Sequence, residues 1–333
     1  MQITMLPLMV CLSLLLSLPS QSFAQQSASA SCDVPLVVTR FNVSTRTVEL
    51  VRDLGLNDFE VQLDGAPAIL QNLSIDDGPK RIALILDASR NVPDDEWNLE
   101  AEMAASLVEY ARPADRFVLQ YLGVDGGIAS LLSPREADER LRKVTFSRPV
   151  PTDPGERVYD AVLEAANRLD PPRFGDVVFL FGHPEDSGSK TTPDQLQELV
   201  LKSNLRFYGV SFSDPLEGKL AGVDLNKPLP ANLRSLVSPR LAESISATGY
   251  FFSFHSVRNL GLPGQTQLFH GFLRDLYAGI AAPYRLSIPA VSKQGLTKLE
   301  ITVSNLHERN IYPRDVHYPK FVFSCALLPP LTQ

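Results

Sequence analysis

The first long apolar run of the sequence is followed by polar side chains at two-residue intervals. The run "RIALILD" ends at Asp87, and Ser89 and Asn91 come next in "ASRN". Oxygen-bearing side chains at positions i, i+2 and i+4 of one loop can meet at a single ion, and Mg²⁺ prefers oxygen ligands in an octahedral arrangement. The spacing therefore indicates either a cation site or a polar turn in which Asp87 bonds to the backbone after the strand.

Further candidates follow a second apolar run. "DVVFLFG" is followed by His183, Glu185 and Asp186, and Glu156 opens the helix-like stretch in "DPGERVYDA". Ligands of an open parallel sheet bind beyond the carboxyl ends of its strands. We therefore expect Asp87 and these residues to lie at one edge of the same sheet.

A nucleophilic site is the remote alternative for the same residues. Asp87, Ser89 and His183 supply the residue types of a Ser–His–Asp set. However, "LDASRN" lacks the G-x-S-x-G turn that exposes the serine of many hydrolases. Asp87 also lies only two residues before Ser89, which makes a relay through His183 awkward. No P-loop, H-E-x-x-H, C-x-x-C or G-x-G-x-x-G motif occurs in its proper context, so we expect a protein that is not an enzyme.

The elements that would position these residues alternate between strand and helix. Residues 80–281 alternate apolar β-like runs with amphipathic runs of helical period, which is typical of a doubly wound, mainly parallel α/β sheet. "RFVLQYLG" and "GIASLLS" are predicted to form a hairpin around "VDGG". The periodicity predicts helices over residues 93–111, 134–144, 156–169, from 193 onward, 239–248 and 266–281.

Both flanks of this α/β unit are β-rich. Short alternating runs fill residues 34–79 and 282–328, so we expect the α/β domain to be inserted into a small β-sandwich built from both flanks. Cys32 and Cys325 lie at opposite ends of the chain. They are predicted to form a disulfide that joins the two flanks, and two unpaired thiols are the alternative.

Residues 81–281 resemble a von Willebrand factor type A (VWA) domain. That family carries D-x-S-x-S after its first strand, a Thr in a later loop and an Asp after its fourth strand, which together form a metal-ion-dependent adhesion site. "NDFEVQLDG", "VYDAV" and "EDSGS" resemble landmarks of an exported bacterial subgroup, the VWFA-related family described in acidobacteria. The resemblance implies a doubly wound α/β fold, a protein partner and no enzymatic activity.

The resemblance also implies a metal site that departs from the family pattern. Asp87 and Ser89 match the Asp and the first Ser, while Asn91 stands at the second Ser, Glu156 at the Thr and His183 at the fourth-strand Asp. Asn91 can still offer an oxygen, Glu156 can restore a carboxylate, and imidazole suits Mn²⁺ or Zn²⁺ better than Mg²⁺. We expect either one divalent cation, Mg²⁺ or Mn²⁺, at a degenerate site or a site without metal.

The composition and the amino-terminal segment bear on location. The net charge of −7 gives no reason to expect a nucleic acid or an anionic membrane as partner. Residues 1–24 form an uncharged apolar run ending in "SFA", which predicts a cleaved signal peptide, and an uncleaved anchor is the alternative. Residues 25–33 are predicted to be a flexible leader. We expect an exported protein, periplasmic or secreted, without a membrane span after cleavage.

These observations lead to one functional hypothesis and two alternatives. The hypothesis is an exported, non-enzymatic protein-recognition or adhesion module that uses the edge of the sheet, including the Leu-rich residues 214–238. A structural scaffold component of the bacterial envelope, without metal, is the first alternative. The serine hydrolase is the remote one.

Overall fold

The computed structural model contains fourteen strands and five α-helices within its described residues. Those residues are 31–42, 44, 47–90, 92–124, 130–152, 157–182, 186, 188–211, 249–253, 265–291, 295–304, 311 and 316–323. The strands are β1 (Ser31–Asn42), β2 (Thr47–Leu50), β3 (Phe59–Leu63), β4 (Ala66–Ala68), β5 (Asn72–Ile75), β6 (Arg81–Asp87), β7 (Arg116–Leu122), β8 (Val177–Phe181), β9 (Arg206–Ser211), β10 (Gly249–Ser253), β11 (Tyr284–Pro289), β12 (Leu296–Val303), β13 (Val316–His317) and β14 (Phe321–Phe323). The helices are α1 (Asp94–Glu109), α2 (Pro134–Phe146), α3 (Val158–Arg168), α4 (Pro193–Lys202) and α5 (Gln265–Ala281).

The middle of the chain forms an open parallel sheet in the order β10-β9-β8-β6-β7. All four pairings between neighbouring strands are parallel. The strand order reverses at β6, because β7 lies on one side of it and β8 on the other. In open α/β sheets, ligands bind at such a switch point, beyond the carboxyl ends of the strands.

Helices cover both faces of this sheet. Buried side chains of α1, α2 and α5 form one core against the sheet, and buried side chains of α3 and α4 form the other. The strands β6 and β8 are buried along their whole length, which is why their sequences are continuous apolar runs rather than alternating ones. The predicted fold class, a doubly wound and mainly parallel α/β sheet, is confirmed.

The two flanks of the chain share a β-sandwich, as predicted. One sheet has the order β13-β1-β11-β5, with β2 also paired to β1, and the other has the order β14-β12-β3-β4. The pairings β1–β11 and β3–β12 are antiparallel and join the amino-terminal flank to the carboxyl-terminal one. One apolar cluster lies between the two sheets, so neither flank forms this core alone.

The predicted hairpin after β7 is reduced to a single bridge in the described residues. Leu132 pairs antiparallel with Phe117, and no strand extends from this bridge. The chain cannot continue as a strand because Ser133 caps helix α2 with its side chain and Pro134 begins that helix. Residues 125–129, in the predicted turn, lie outside the described part of the chain.

The other predicted elements match the described ones within a few residues. One exception is the predicted flexible leader, 25–33, because its residues 31–33 are the first residues of β1 and pair with Pro289, Ile288 and Ser287 of β11. The signal segment 1–24, the leader up to residue 30, the Leu-rich stretch 214–238 and the predicted helix 239–248 lie outside the described residues. Within the described residues, no helix combines the length and the apolar character needed to cross a bilayer.

The amino ends of the parallel strands rest on a buried ionic network, which we call the lower end. The Arg81 guanidinium binds both carboxylate oxygens of Asp176 and also donates to the carbonyl of Leu169, at 2.6 Å. The Lys80 ammonium binds the Asp76 carboxylate at 2.5 Å. These bonds connect β6, the loop before β8 and the segment that links the sandwich to β6.

Two more groups complete the lower end. Arg206 donates to the backbone carbonyls of Gly175, Gly279 and Ile280 at 2.6–3.0 Å. Asp115 accepts hydrogen bonds from the Lys80 backbone N–H, from Arg112 and from the Tyr277 hydroxyl. These bonds fix the carboxyl-terminal end of α5 to the sheet at its lower end.

Candidate functional site

The loops after β6 and β8 meet at the carboxyl ends of the strands, which we call the upper rim. Leu86 pairs with Phe181, so Asp87 and Gly182 are the next residues along two neighbouring parallel strands. A Cβ atom placed on Gly182 would lie 2.4 Å from the Asp87 Cβ, and Gly182 has φ = 129°. Only glycine fits this close approach and this backbone conformation. The two loops are thus neighbours at the switch point of the sheet.

Asp87 and Ser89 form a tight polar turn at this point. The Ser89 backbone N–H donates to Asp87 Oδ1 at 3.0 Å, the Asx-turn geometry common after strands. The side chain of Ser89 is only 3% exposed, and its hydroxyl has no hydrogen-bond partner in the described part of the chain. A buried hydroxyl without a partner costs free energy, so Ser89 Oγ marks a place that a ligand or a water molecule can satisfy.

A second buried carboxyl group lies beneath this turn. Glu100, on α1, is fully buried, and its Oε2 accepts the Asp87 backbone N–H at 2.9 Å. Burial, and then the neighbouring Asp87 carboxylate, raise the pKa of Glu100 well above its usual value. Glu100 Oε1 has no hydrogen-bond partner among the described residues. The upper rim therefore contains a buried carboxyl group, that of Glu100, with one oxygen that is not bonded to any described residue.

An arginine from a distant part of the chain fixes the same loop. Arg148 follows α2, and its guanidinium donates to the carbonyl of Ser89 and, at 2.7 Å, to that of Val92. It also stacks on the Trp97 ring, with its Cζ 5.5 Å from the ring centroid. These contacts hold the Asp87–Ser89 turn, whose two polar residues are both buried, against α1.

The loop after β8 is also joined to the start of α3. Asp186 accepts from the Tyr159 N–H at 3.2 Å and from the Ser189 N–H at 3.1 Å. Asp160, in the first turn of α3, accepts from the Thr191 N–H at 2.9 Å and from its hydroxyl at 2.7 Å. These hydrogen bonds join the chain after β8 to the first turn of α3.

The described residues contain part of the predicted ligand set. Asp87 and Ser89 lie together at the upper rim, whereas Asn91, Glu156 and His183 lie outside the described residues, so the metal site stays a prediction. Within the described chain, no three His, Cys, Asp or Glu side chains are arranged to hold a metal. The carboxylate of Asp87 and the partnerless hydroxyl of Ser89 are the donor types that a hard cation uses. Two of the five predicted donors therefore fit such a cation.

The predicted disulfide is likewise only half described. Cys32 is buried in β1, within the core of the sandwich, and Cys325 lies outside the described residues. The pairing of the two cysteines stays a prediction.

Two residues that contact the Asp87–Ser89 turn, Glu100 and Arg148, were missed from the sequence. Glu100 has a signal, because it falls among Trp97, Ala101 and Ala104 on the buried face of α1, where an acidic residue is unusual. Arg148 has none, because its partners, Ser89 and Val92, lie more than fifty residues away in the chain.

Among known proteins, the chain is similar only to solved structures that share its fold at low sequence identity. No protein-family profile matches the sequence, and no curated protein matches it. The chain is similar to the human COPII-coat protein Sec24c, with 9% identity and a TM-score of 0.42 over 74% of this chain, but it spans only 43% of the Sec24c chain.

Two shorter structures are matched over nearly their full length. The conserved hypothetical protein BatB from Bacteroides thetaiotaomicron is 10% identical, with a TM-score of 0.38 over 60% of this chain and 99% of that one. The SpRpn10 VWA domain is 11% identical, with a TM-score of 0.36 over 60% of this chain and 94% of that one.

These TM-scores are too low to add weight, so the fold assignment depends on the strand order of the chain itself. The resemblance to the acidobacterial subgroup stays a prediction. The chain has an open, doubly wound parallel α/β sheet, set in a β-sandwich made from its own two flanks.

Proposed function

We propose that the chain is an exported, non-enzymatic recognition protein that binds another protein at its upper rim. The contact between Asp87 and Gly182 carries this proposal, because it places two loops at the switch point of the sheet. A buried polar atom without a described partner, Ser89 Oγ, lies in the same place. In folds of this type that position serves ligand binding rather than stability.

A divalent cation, Mg²⁺ or Mn²⁺, is proposed to complete the rim. Asp87 and Ser89 supply two oxygens, and Asn91, Glu156 and His183 are the proposed remaining donors. The cation would attract a carboxylate of the partner protein into its open position. The rim would therefore bind an acidic group on the partner, and chelators would weaken the complex.

Burial argues against the hydrolase alternative. A nucleophilic serine must reach a substrate, whereas Ser89 is almost fully buried and its backbone is held in the turn with Asp87. The hydrogen bond from the Ser89 N–H to Asp87 favours the scaffold alternative, because this arrangement is expected if the site has lost its metal. The choice between recognition and scaffold therefore depends on whether the rim binds anything.

Export and the disulfide belong to the same proposal. β13 runs antiparallel to β1, with His317 opposite Val37, so the chain beyond residue 317 runs back toward the start of β1. Val34 and Val322 line one cavity, which supports the proposed pairing of Cys32 with Cys325. Two unpaired thiols in the exported protein, measured by mass after alkylation without reductant, would contradict the pairing.

Calorimetric titration of residues 25–333 with Mg²⁺ and Mn²⁺ tests the recognition site. We expect saturable heat from the natural sequence and an affinity at least about tenfold lower in Asp87→Asn, a difference of about 1.4 kcal/mol. Asp95→Asn is the matched control, because Asp95 is an exposed carboxylate at the start of α1. If no heat is released, and if Asp87→Asn and Asp95→Asn capture the same envelope proteins, the recognition site is contradicted and the scaffold alternative is favoured.

A further inference from the structure

Beside the candidate site, a short segment crosses the upper rim with two apolar side chains in solvent. Residues 146–152, which we call the strap, connect the end of α2 to the chain before α3. Phe146 is 91% exposed and Val150 is 78% exposed. Isolated apolar residues are common on protein surfaces, but a large aromatic side chain left almost fully in water forgoes a burial worth about 2 kcal/mol.

The strap holds these two side chains in place. Between them, Arg148 is bonded to the carbonyls of Ser89 and Val92. At the far end, the Thr152 N–H donates to the carbonyl of Gly123 at 2.8 Å. A surface that is already ordered loses little conformational entropy when it binds, which is typical of a docking site.

Two cationic side chains of α2 come shortly before Phe146 in the sequence. Arg140 and Lys143 lie on α2 six and three residues before it, and both are exposed. No salt bridge is found for either of them within the described residues, in contrast to Arg142, which pairs with Glu109 and Asp138. The last two turns of α2 and the strap contain no acidic residue.

We propose that this surface, the strap together with Arg140 and Lys143, docks a protein segment that carries an apolar side chain beside carboxylates. The apolar side chain packs on Phe146 and Val150, and the carboxylates pair with Arg140 and Lys143. This inference rests on the proposed function and deepens it, because it gives the partner a second, apolar contact next to the acidic group at Asp87.

The charges favour a narrow segment over a flat anionic membrane. Asp94, whose side chain is 94% exposed, and the exposed Asp95 lie on the same rim, at the start of α1. A flat anionic surface would meet these carboxylates as well as the cations, whereas a peptide segment can contact the cations alone. The chain as a whole also carries a net charge of −7, which opposes adsorption to an anionic bilayer.

Selection of short random peptides displayed on phage against immobilised residues 25–333 tests the proposal. We expect the enriched peptides to combine Leu, Ile or Phe with Asp or Glu. A synthetic peptide of the enriched sequence should bind at least about tenfold more weakly to Phe146→Ser and to Lys143→Glu, as for residues at the centre of an interface. Because both side chains are exposed, the variants should unfold as the natural protein does.

Matched controls separate this surface from general stickiness. Ile69→Ser removes an apolar side chain that is 84% exposed on the sandwich, and Arg52→Glu reverses an exposed charge there. Both should leave peptide binding unchanged. Enriched peptides without acidic and apolar residues, or binding indifferent to Phe146→Ser and Lys143→Glu, would overturn the proposal.

Other occupants give different results. Binding to phosphatidylglycerol vesicles that is lost in the strap variants would replace the peptide with a membrane, and self-association lost in those variants would replace it with a second copy. Loss of cation binding in Asp87→Asn, without any effect of the strap variants on peptide binding, would refute this inference and leave the proposed function intact.

Discussion

The two ends of the parallel sheet are both polar, but they use polar groups in opposite ways. At the lower end, buried ions are paired with one another and with backbone carbonyls, as in the pair Arg81–Asp176. At the upper rim, Ser89 Oγ and Glu100 Oε1 are buried without a partner among the described residues, and the lower end has one such atom, Arg206 Nε. A buried group that is fully bonded stabilises the fold, whereas one left unsatisfied lowers stability.

Two carboxyl groups, Asp115 at the lower end and Glu100 at the upper rim, show a similar contrast. Burial raises the pKa of Asp115 at the lower end, but hydrogen bonds from Lys80, Tyr277 and Arg112 outweigh burial and leave its pKa below the usual value. At the upper rim, burial and the neighbouring Asp87 raise the pKa of Glu100. Asp115 is thus stabilised in its charged form, whereas the charged form of Glu100 is disfavoured. Asp176, which pairs with Arg81 at the lower end, differs from Asp115 because burial raises its pKa.

The largest effect is expected from breaking the lower end. Asp176→Asn leaves Arg81 buried without its counter-ion, and removal of one member of a buried pair costs about 3–5 kcal/mol. Urea denaturation should show this loss in the free energy of unfolding, while cation binding at the upper rim persists wherever the variant is folded. An unchanged unfolding free energy would mean that the lower end is no more structural than the rim.

A smaller loss is expected at Gly182. Gly182→Ala places a methyl group against the Asp87 Cβ and forces φ = 129° on a residue with a side chain, which should cost about 2–3 kcal/mol. Gly65, with φ = 81° and no atom within 4 Å of the position that a methyl group would take, is the matched control. Gly65→Ala carries the backbone strain alone, so the difference between the two variants in thermal denaturation isolates the contact with Asp87.

The smallest effect is expected from Glu100, and it depends on pH. Because the folded state raises the pKa of Glu100, it keeps its proton above pH 4.5, where the unfolded chain releases it. The stability from the protonated form is complete below that pH and is lost as the pH rises toward the folded pKa. Glu100→Gln should therefore raise the free energy of unfolding at pH 7 by roughly 1 kcal/mol.

The control for Glu100 is the same measurement in acid. At pH 4, where the carboxyl group is protonated in both states, Glu100→Gln should have little effect on the unfolding free energy. A loss of stability at pH 7 would show that Glu100 is ionised in the folded protein and would remove the contrast with Asp115.

The sequence predicted the fold and the proximity of the loops after β6 and β8, because both depend on local patterns. The continuous apolar runs of β6 and β8 indicated buried parallel strands, and polar residues directly after them had to lie at one edge. The β-rich flanks indicated the sandwich for the same reason.

The sequence did not predict the groups that set the character of each end. Lys80 and Arg81 open an apolar run, where charged residues are normally exposed, yet both are buried. Lys80 pairs with Asp76, a local partner, whereas Arg81 pairs with the distant Asp176. Arg148 reaches the Asp87–Ser89 turn because α2 packs on α1. The Trp97 indole N–H, on α1, donates to the Val144 carbonyl, on α2, at 3.2 Å. Such partners follow from tertiary packing, which the local pattern does not encode.

The paramagnetic effect of Mn²⁺ on amide NMR signals tests the central claim most directly, that a cation-assisted contact site lies at the upper rim. Seven residues of β6 separate the two ends by about 20 Å, and the broadening falls steeply with distance. We predict strong broadening at Ala88, Ser89 and Gly182, with much weaker broadening at Arg116 and Asp176, and loss of the effect in Asp87→Asn. Equal broadening at both ends, or none at saturating Mn²⁺, would contradict the account.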